Sequence, residues 1–182
     1  MQPHTFFLCW CMDANIRTAR TDDAPGIAHV HTRSWRETYR GLIPDDFLER
    51  MTSSAAQERR ETSWGQTIEI SRERVYVADL NGAIVAFASV GPARDHPGYD
   101  DELMTLYSLQ TVQGHGIGRQ LLHHAMQDSR AGGAKNMALW VLDRNPTRQW
   151  YARQGATEAG EKQEGELREI RMVWDDLTRL LR

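Results

Sequence analysis

Cysteine is scarce in this chain. Only two of its 182 residues are cysteines, and both, Cys9 and Cys11, lie near the N-terminus. Two cysteines this close strain a disulfide, and one Cys-x-Cys without a second pair makes a poor metal site. The sequence therefore argues against a disulfide-stabilised secreted scaffold, and we expect a cytoplasmic protein whose thiols stay reduced.

An excess of positive charge is also missing. The chain has 22 basic and 25 acidic residues and a formal net charge of −3. Proteins that bind nucleic acids are usually basic, so no nucleic-acid partner is expected. The apolar run at residues 6–12 is too short to span a bilayer and lacks the flanks of a signal peptide, so no membrane partner is expected.

Length and composition predict one globular domain. Apolar residues make up 40% of the chain and charged residues 26%, and no repeat or low-complexity tract is present. We expect residues 1–14 to form an N-terminal tail outside the fold and residues 15–182 to form the domain. Met12 directly precedes the first strand-like segment and is an alternative start of translation.

The most informative segment is a glycine turn, Gln113-Gly114-His115-Gly116-Ile117-Gly118-Arg119. It follows a strand-like run at residues 103–109 and opens a helix-like run at residues 117–129. Glycines let the backbone approach a ligand closely, and the first N–H groups of a helix have no internal partner. The helix dipole and Arg119 add positive charge. The turn therefore predicts an anion site suited to a diphosphate.

Two common diphosphate motifs do not fit this turn. A P-loop would end in Gly-Lys-Ser/Thr where the chain has Gly118-Arg119-Gln120, and the dinucleotide fingerprint needs a third glycine that is absent. The pattern that fits is Gln-x-x-Gly-x-Gly. It resembles the pyrophosphate-binding signature of the GNAT superfamily, the acetyl-CoA-dependent N-acetyltransferases.

Further segments strengthen this resemblance. Asn145-Pro146 at a helix start, Trp150-Tyr151 and the helix-ending Gly155 are similar to the second half of the family core. Residues 102–108 resemble its central strand and residues 16–24 its first strand, so the resemblance covers about residues 15–176. It implies an α/β fold with a mostly antiparallel central sheet, one parallel β-α-β crossover and flanking helices. The chain departs from the family at Ala156 and Thr157, where an aromatic residue often follows the glycine.

Periodicity and turn residues predict the order of the elements. Asp22 or Asp23 is expected to cap the first helix, Gly41 to stop it, and Asn81-Gly82 to form a hairpin. Further helices are expected at residues 44–50 and 53–69, after the glycine turn, and after Pro146. The predicted strands span residues 16–20, 74–79, 83–90, 102–109, 136–142 and 167–174.

The resemblance implies acetyl-CoA as cosubstrate and no metal. Backbone N–H groups from Gly114 to Arg119 are expected to bind its diphosphate, while Gln113 donates to phosphate or braces the turn. The pantetheine arm is expected to lie along the end of the central strand, and Asn145 to contact that arm, cap the next helix, or do both. The predicted cofactor-binding residues are Leu106, Tyr107, Ser108, Gln113, Gly114, His115, Gly116, Ile117, Gly118, Arg119 and Asn145.

The implied reaction is direct acetyl transfer from the thioester to a primary amine in a ternary complex. Tyr151 matches the family's tyrosine near the sulfur, so it is the predicted general acid, with a packed aromatic as the alternative. Glu102 is the first candidate for the general base and His96 the second. A solvated strand-end carboxylate is the alternative for Glu102, with water carrying the proton away.

The acceptor is expected to be a small-molecule amine or a peptide. Trp35 and Tyr39, together with Trp64, are predicted to line its pocket, because the segment around them resembles the region where the family builds specificity; a core role stays open for Trp35. A non-catalytic acyl-CoA-binding or interaction module on the same scaffold is the alternative function. A homodimer that pairs through the last strands is a further arrangement that the sequence leaves open.

The seven histidines do not predict a metal site. His29 and His31 point to different sides of a helix, and His123 and His124 are adjacent and diverge.

Overall fold

Seven strands form one mixed sheet. They are β1 (Asn15–Thr18), β2 (Arg74–Leu80), β3 (Ala83–Pro92), β4 (Asp101–Ser108), β5 (Met137–Leu142), β6 (Thr157–Glu164) and β7 (Leu167–Trp174). The structure is a computed structural model that describes residues 13–178. Across the sheet the order is β1-β2-β3-β4-β5-β7-β6. Only β4 and β5 are parallel neighbours within these residues, which confirms the predicted antiparallel sheet with one crossover.

Helices cover both faces of the sheet. They are α1 (Ala24–Thr38), α2 (Asp45–Met51), α3 (Ser54–Glu69), α4 (Ile117–Ala131) and α5 (Thr147–Arg153), with short 3-10 turns at Thr21–Asp23 and Gln110–Val112. The helices α1 and α3 pack together on one face, α4 packs on the other, and α5 contacts β5 and β7. No helix in the described part of the chain is long and apolar enough to cross a bilayer.

Side chains of the central strands alternate between two cores. In β2, Tyr76 and Ala78 pack in the core under α4, whereas Val75 and Val77 pack under α1 and α3. We call these sides of the sheet the α4 face and the α1 face. Because both faces are covered, β3 and β5 are apolar at nearly every position. The predicted apolar stripe of α4 is confirmed, since its members are at most 1% exposed: Ile117, Leu121, Leu122, Ala125 and Met126.

The predicted Asn81-Gly82 hairpin is confirmed. Leu80 pairs with Ala83 across the turn. Asn81 has φ 55° and Gly82 has φ 85°, the two positive values that a tight two-residue hairpin requires. The Asp79 carboxylate accepts a hydrogen bond from the Gly82 N–H at 2.8 Å and holds the turn closed.

The sequence pattern does not predict β6. This strand is mostly polar and exposed, and within the described residues it pairs only with β7 at one edge of the sheet. An edge strand that is solvated on both sides needs no apolar alternation, so periodicity gives no indication of it.

The end of α1 and the edge of the tail differ from expectation. Asp23 occupies the N-cap position of α1, as expected, but its carboxylate makes no cap hydrogen bond to the helix and instead accepts from the Arg20 N–H at 2.7 Å. The helix α1 ends at Thr38, before Gly41. Gly41, with φ 74°, turns the chain after the helix. Residues 1–12 of the predicted tail lie outside the described residues. Ala14, its last member, is 5% exposed and packs in the core, so the packed fold already includes it.

Candidate active site

The parallel strands β4 and β5 separate almost as soon as they meet. They pair at Asp101 with Met137 and at Glu102 with Ala138, and the ladder ends there. Beyond Glu102 the backbone groups of β4 that face β5 have no strand partner within residues 13–178, and a cavity of about 590 Å³ opens between the strands. Unpaired strand edges bind extended ligands by main-chain hydrogen bonds.

A β-bulge in β4 sets which side chains face each side of this gap. Thr105 pairs with Ser89 and Leu103 with Val90, so Met104 is the extra residue. Leu103 and Leu106 are three residues apart, so regular alternation would put them on opposite faces of the sheet. Because of the bulge, both pack on the α4 face, and Tyr107 packs on the α1 face.

The cavity extends from one face of the sheet to the other. On the α4 face its lining includes the glycine turn, Asn145 and Tyr151, and on the α1 face it includes Tyr39 and Trp140. A cavity that crosses the sheet can hold one ligand on each face, with their reacting ends meeting in the gap between β4 and β5.

The glycine turn presents a row of free N–H donors. Among the described residues, the backbone N–H groups of residues 114–119 have no hydrogen-bond partner, and the first helical bond of α4 is from Gln120 N to Gly116 O at 3.0 Å. Gly114 has φ 80° and Gly116 has φ 82°, which favour glycine. A Cβ at either glycine would meet no atom within 4 Å, so the space beside the turn is open to a ligand.

Gln113 braces this turn. Its Nε2 donates to the Ser108 carbonyl at 3.3 Å, and Ser34 Oγ donates to the same carbonyl at 3.2 Å. Its own carbonyl lies 3.0 Å from His115 Nδ1. This geometry fits the bracing role expected for Gln113.

Asn145 lies where the cavity meets the start of α5. It is 6% exposed, and its Oδ1 accepts from the Thr147 N–H at 2.9 Å. The side chain therefore satisfies the first free N–H of α5 from the position before Pro146, which is the N-cap. Because Asn145 also lines the cavity, both roles expected of it fit its position.

Tyr151 lines the cavity from α5. Its ring packs edge-on against Trp150 and Trp174, with centroids 5.1 and 6.1 Å away. Burial, and then the nearby Tyr107, raise the pKa of the Tyr151 phenol above its usual value. The described residues make no hydrogen bond to its hydroxyl, so a protonated phenol is held in the cavity with its polar end uncommitted.

Glu102 lies in the last residue pair between β4 and β5, where the gap begins, and it is not among the residues that line the cavity. Its Oε2 accepts from the Arg94 N–H at 3.2 Å and from Arg94 Nε at 3.4 Å. His96 Nε2 is 3.7 Å from Oε1, which is an ion-pair distance but too long for a hydrogen bond. Burial acts to raise the pKa of Glu102, but His96 and the Arg94 contacts outweigh it and hold the pKa at about 2.

His96, the second candidate base, is 3% exposed. Its ring stacks on Trp140 with centroids 5.2 Å apart, and neither ring nitrogen has a hydrogen-bond partner among the described residues. The structure therefore brings both predicted bases together, with His96 packed against Trp140, which lines the cavity.

An aromatic cluster forms the α1 side of the cavity. The Tyr107 hydroxyl accepts from Trp35 Nε1 at 3.1 Å and lies 3.2 Å from the Tyr39 hydroxyl. Tyr39 and Tyr107 line the cavity, whereas Trp35 lies behind them. Trp64 is 8% exposed, packs on Phe87 and donates to His31 Nδ1 at 3.2 Å, so it belongs to the α1-face core.

Among the lining residues that the sequence-based site lacks are Trp140 and Glu169. Trp140 alternates in β5 with Leu139 and Val141, which pack on the α4 face, so Trp140 faces α1. Glu169 alternates in the same way with Ile170 in β7 and lies opposite Leu142 of β5. Strand alternation places such side chains on one face, but only the gap between β4 and β5 brings them to the cavity. No group of His, Cys, Asp and Glu suited to a metal ion occurs among residues 13–178.

The fold and the cavity define a class of protein: a split α/β sheet with a glycine-capped helix N-terminus at the split. A model of the acetyltransferase (GNAT) family matches residues 33–156. The chain therefore belongs to the GNAT acetyltransferase family.

Individual relatives agree with this assignment. Over 171 residues the chain is 35% identical to YuaI of Bacillus subtilis (strain 168), named as an uncharacterized N-acetyltransferase, and the match covers 91% of this chain and 95% of that protein. Among solved structures, PaiA N-acetyltransferase from Thermoplasma acidophilum, in complex with coenzyme A, has a TM-score of 0.73 at 18% identity and covers 90% of this chain and 100% of its own. YncA from Salmonella typhimurium, solved with its cofactor acetyl-CoA, has a TM-score of 0.66 at 20% identity over 91% of this chain and 94% of its own. These two structures share the fold.

Proposed function

We propose that this protein transfers the acetyl group of acetyl-CoA to a primary amine while both substrates are bound. The observation that carries the proposal is the cavity that crosses the sheet between β4 and β5. It offers one ligand site on the α4 face and a second on the α1 face. We call the part of the cavity lined by Tyr39, Tyr107, Trp140 and Glu169 the acceptor end.

The residues on the α4 face fit acetyl-CoA. The unpaired N–H groups of residues 114–119 and the N-terminus of α4 suit a diphosphate. The unpaired edge of β4 beyond Glu102 suits the two amides of the pantetheine arm. Solved structures of the same fold hold coenzyme A or acetyl-CoA, which supports the choice of this ligand.

Acetyl-CoA supplies an acetyl thioester, whose carbonyl carbon the amine attacks and whose sulfur leaves as a thiolate. A backbone N–H on the β5-facing edge of β4 can donate to the carbonyl oxygen as negative charge develops there. Tyr151 holds its proton because its pKa is raised. Its uncommitted hydroxyl is suited to deliver that proton to the departing sulfur. The proton that the attacking nitrogen loses as it becomes an amide then restores the phenol.

The proton of the incoming ammonium needs a separate route. Glu102 is ionised but held by Arg94, and a pKa of about 2 makes it a weak base. It lies where the gap between β4 and β5 begins, so we propose that it acts on the amine through water and orders that water. Bulk solvent then takes up the proton.

The experiment that tests this function combines calorimetry with a thiol-release assay. Calorimetry should detect acetyl-CoA binding to the purified protein, and free thiol should appear when a panel of primary amines is added. Binding without thiol release from any amine would support the non-catalytic acyl-CoA-binding module. No heat with acetyl-CoA at millimolar concentration would contradict both functions.

A further inference from the structure

The two ends of the cavity carry opposite charge. Among the described residues that line it, the charged side chains are Arg119 and Glu169. Arg119 is at the glycine turn, where the proposed acetyl-CoA diphosphate is anionic. Glu169 is at the acceptor end, beside Tyr39 and Trp140. The cavity is therefore arranged for an anion on the α4 face and a cation on the α1 face.

Glu169 already holds one ammonium group, and it has capacity for another. Lys162 Nζ lies 3.3 Å from Glu169 Oε2, 3.4 Å from Asp95 Oδ2 and 4.4 Å from the centroid of the Trp140 ring. Two carboxylates share one ammonium, so this cluster keeps a net negative charge. A carboxylate offers two oxygens and about four lone pairs, and Lys162 is not among the lining residues. The cavity side of Glu169 can therefore accept a second cation.

The chemistry of the reaction decides whether this second cation is the reacting amine or another group of the acceptor. The attacking amine must be neutral, whereas a carboxylate that binds an ammonium stabilises its protonated form. Glu169 is such a carboxylate, and its ion pair with Lys162 already holds one ammonium group. Its position therefore suits a group of the acceptor that stays charged throughout the reaction.

We propose that Glu169 binds a second, non-reacting ammonium group of the acceptor, so that the preferred substrates are amines with two cationic nitrogens. This inference rests on the proposed acetyl transfer. It makes Glu169 a specificity-determining residue, and the aromatic rings beside it can attract a cation through cation–π interactions.

The first test compares diamines with monoamines. Thiol release is measured with 1,3-diaminopropane to 1,6-diaminohexane, each against the n-alkylamine of the same length. In the wild-type protein the best diamine should exceed its monoamine in kcat/KM by about tenfold or more, the size expected of a charged hydrogen bond. Glu169→Gln should remove that advantage by raising the KM for the diamine much more than the KM for the monoamine, and it should leave the KM for acetyl-CoA unchanged. A preference that persists in Glu169→Gln, or no preference in the wild type, overturns the proposal.

Two further variants separate substrate binding from a structural role. Lys162→Met removes the competing cation, so it should lower the KM for the best diamine, the opposite of Glu169→Gln. If Glu169 served only to hold Lys162, the two variants would change kinetics in the same direction. Glu161→Gln is the matched control, because that glutamate is on the same hairpin and pairs with Arg168 at the surface. This variant should change neither the KM for the diamine nor the KM for acetyl-CoA.

A binding measurement tests the inference even without turnover. Calorimetry with protein saturated with coenzyme A should show the best-binding diamine binding about tenfold more tightly to the wild type than to Glu169→Gln. Such binding without thiol release from any amine would uphold the site and contradict the proposed function. Thiol release with no diamine binding, or with equal binding to both proteins, would uphold the function and overturn this inference.

Discussion

At the scale of single residues, Tyr151 combines a raised pKa with a hydroxyl that the described residues leave unbonded. Tyr151→Phe removes the proton donor and keeps the ring packing against Trp150 and Trp174. We expect kcat to fall by about a hundredfold, the lower range of general acid catalysis. The dissociation constant for acetyl-CoA, measured by calorimetry, should change by less than about twofold, because no binding contact is lost.

Tyr99 provides a matched control for this substitution. Its hydroxyl donates to Asp175 at 2.8 Å, away from the cavity, so Tyr99→Phe also deletes one phenol oxygen. Turnover should stay at the wild-type level in that variant. Equal losses of turnover and acetyl-CoA affinity in Tyr151→Phe would contradict the acid role.

Glu102 gives a prediction about stability and pH. Its pKa in the folded protein is about 2, below an ordinary value of 4.5. The ionised carboxylate therefore stabilises the fold above about pH 4.5, and that contribution is lost as the pH falls through about 2. Glu102→Gln should lower the free energy of unfolding by about 1–3 kcal/mol near pH 7. The difference from the wild type should shrink as the pH is lowered towards 2.

Urea titrations at several pH values measure this difference. Glu164→Gln is the control, since that glutamate is exposed and should change stability little at any pH. A deficit in Glu102→Gln that is the same at low and neutral pH would show that the carboxylate charge is not its cause.

At the scale of elements, the glycine turn and α4 act together as the anion site. Gly116→Asp introduces a side chain and a negative charge beside the free N–H groups, at φ 82°. We expect acetyl-CoA affinity to fall by about tenfold or more, because a like charge at the phosphate site adds to the lost space. Calorimetry with acetyl-CoA measures the loss.

Gly133→Asp separates this effect from backbone strain. Gly133 has φ 98° just beyond the other end of α4, and a Cβ there also meets nothing within 4 Å. Both variants carry the cost of a left-handed residue, but only Gly116→Asp should lose acetyl-CoA affinity. Similar affinities in the two variants would mean that the turn does not bind the diphosphate.

Some of these elements can be predicted from the sequence and others cannot. Asn81-Gly82 and the α4 stripe are predictable, because local backbone chemistry and one buried face determine them. The polar edge strand β6 is not, because no burial requirement acts on it. The orientation of β4 depends on a bulge at Met104 that arises from its pairing with β3, which no pattern within β4 records.

The candidate site divides in the same way. The glycine turn is predictable from a short motif and Tyr151 from the resemblance to the family, and both line the cavity. Trp140 and Glu169 lie in strands whose local sequence carries no sign of a site, and they reach the cavity through strand order and the separation of β4 from β5. Long-range pairing, which sequence periodicity does not encode, decides those positions.

At the scale of the whole molecule, the cavity exists only where two parts of the sheet meet. β1 to β4 form one part, β5 to β7 form the other, and two residue pairs of parallel ladder join them. The glycine turn follows β4, Tyr151 follows β5, and Glu169 belongs to β7. The unfolded chain cannot hold these groups together, so a ligand of the cavity should bind the folded state alone.

This dependence predicts a thermal shift with acetyl-CoA. A ligand at about a hundred times its dissociation constant stabilises the fold by about 2.7 kcal/mol, which raises the Tm of a chain of this size by about 5–10 °C. Tyr151→Phe and Glu169→Gln should keep the full shift, since neither side chain binds the diphosphate, whereas Gly116→Asp should lose most of it at the same concentration. Scanning calorimetry with and without acetyl-CoA measures all four proteins. A full shift in Gly116→Asp would place the coenzyme elsewhere in the molecule, and the assignment of the glycine turn would fail with it.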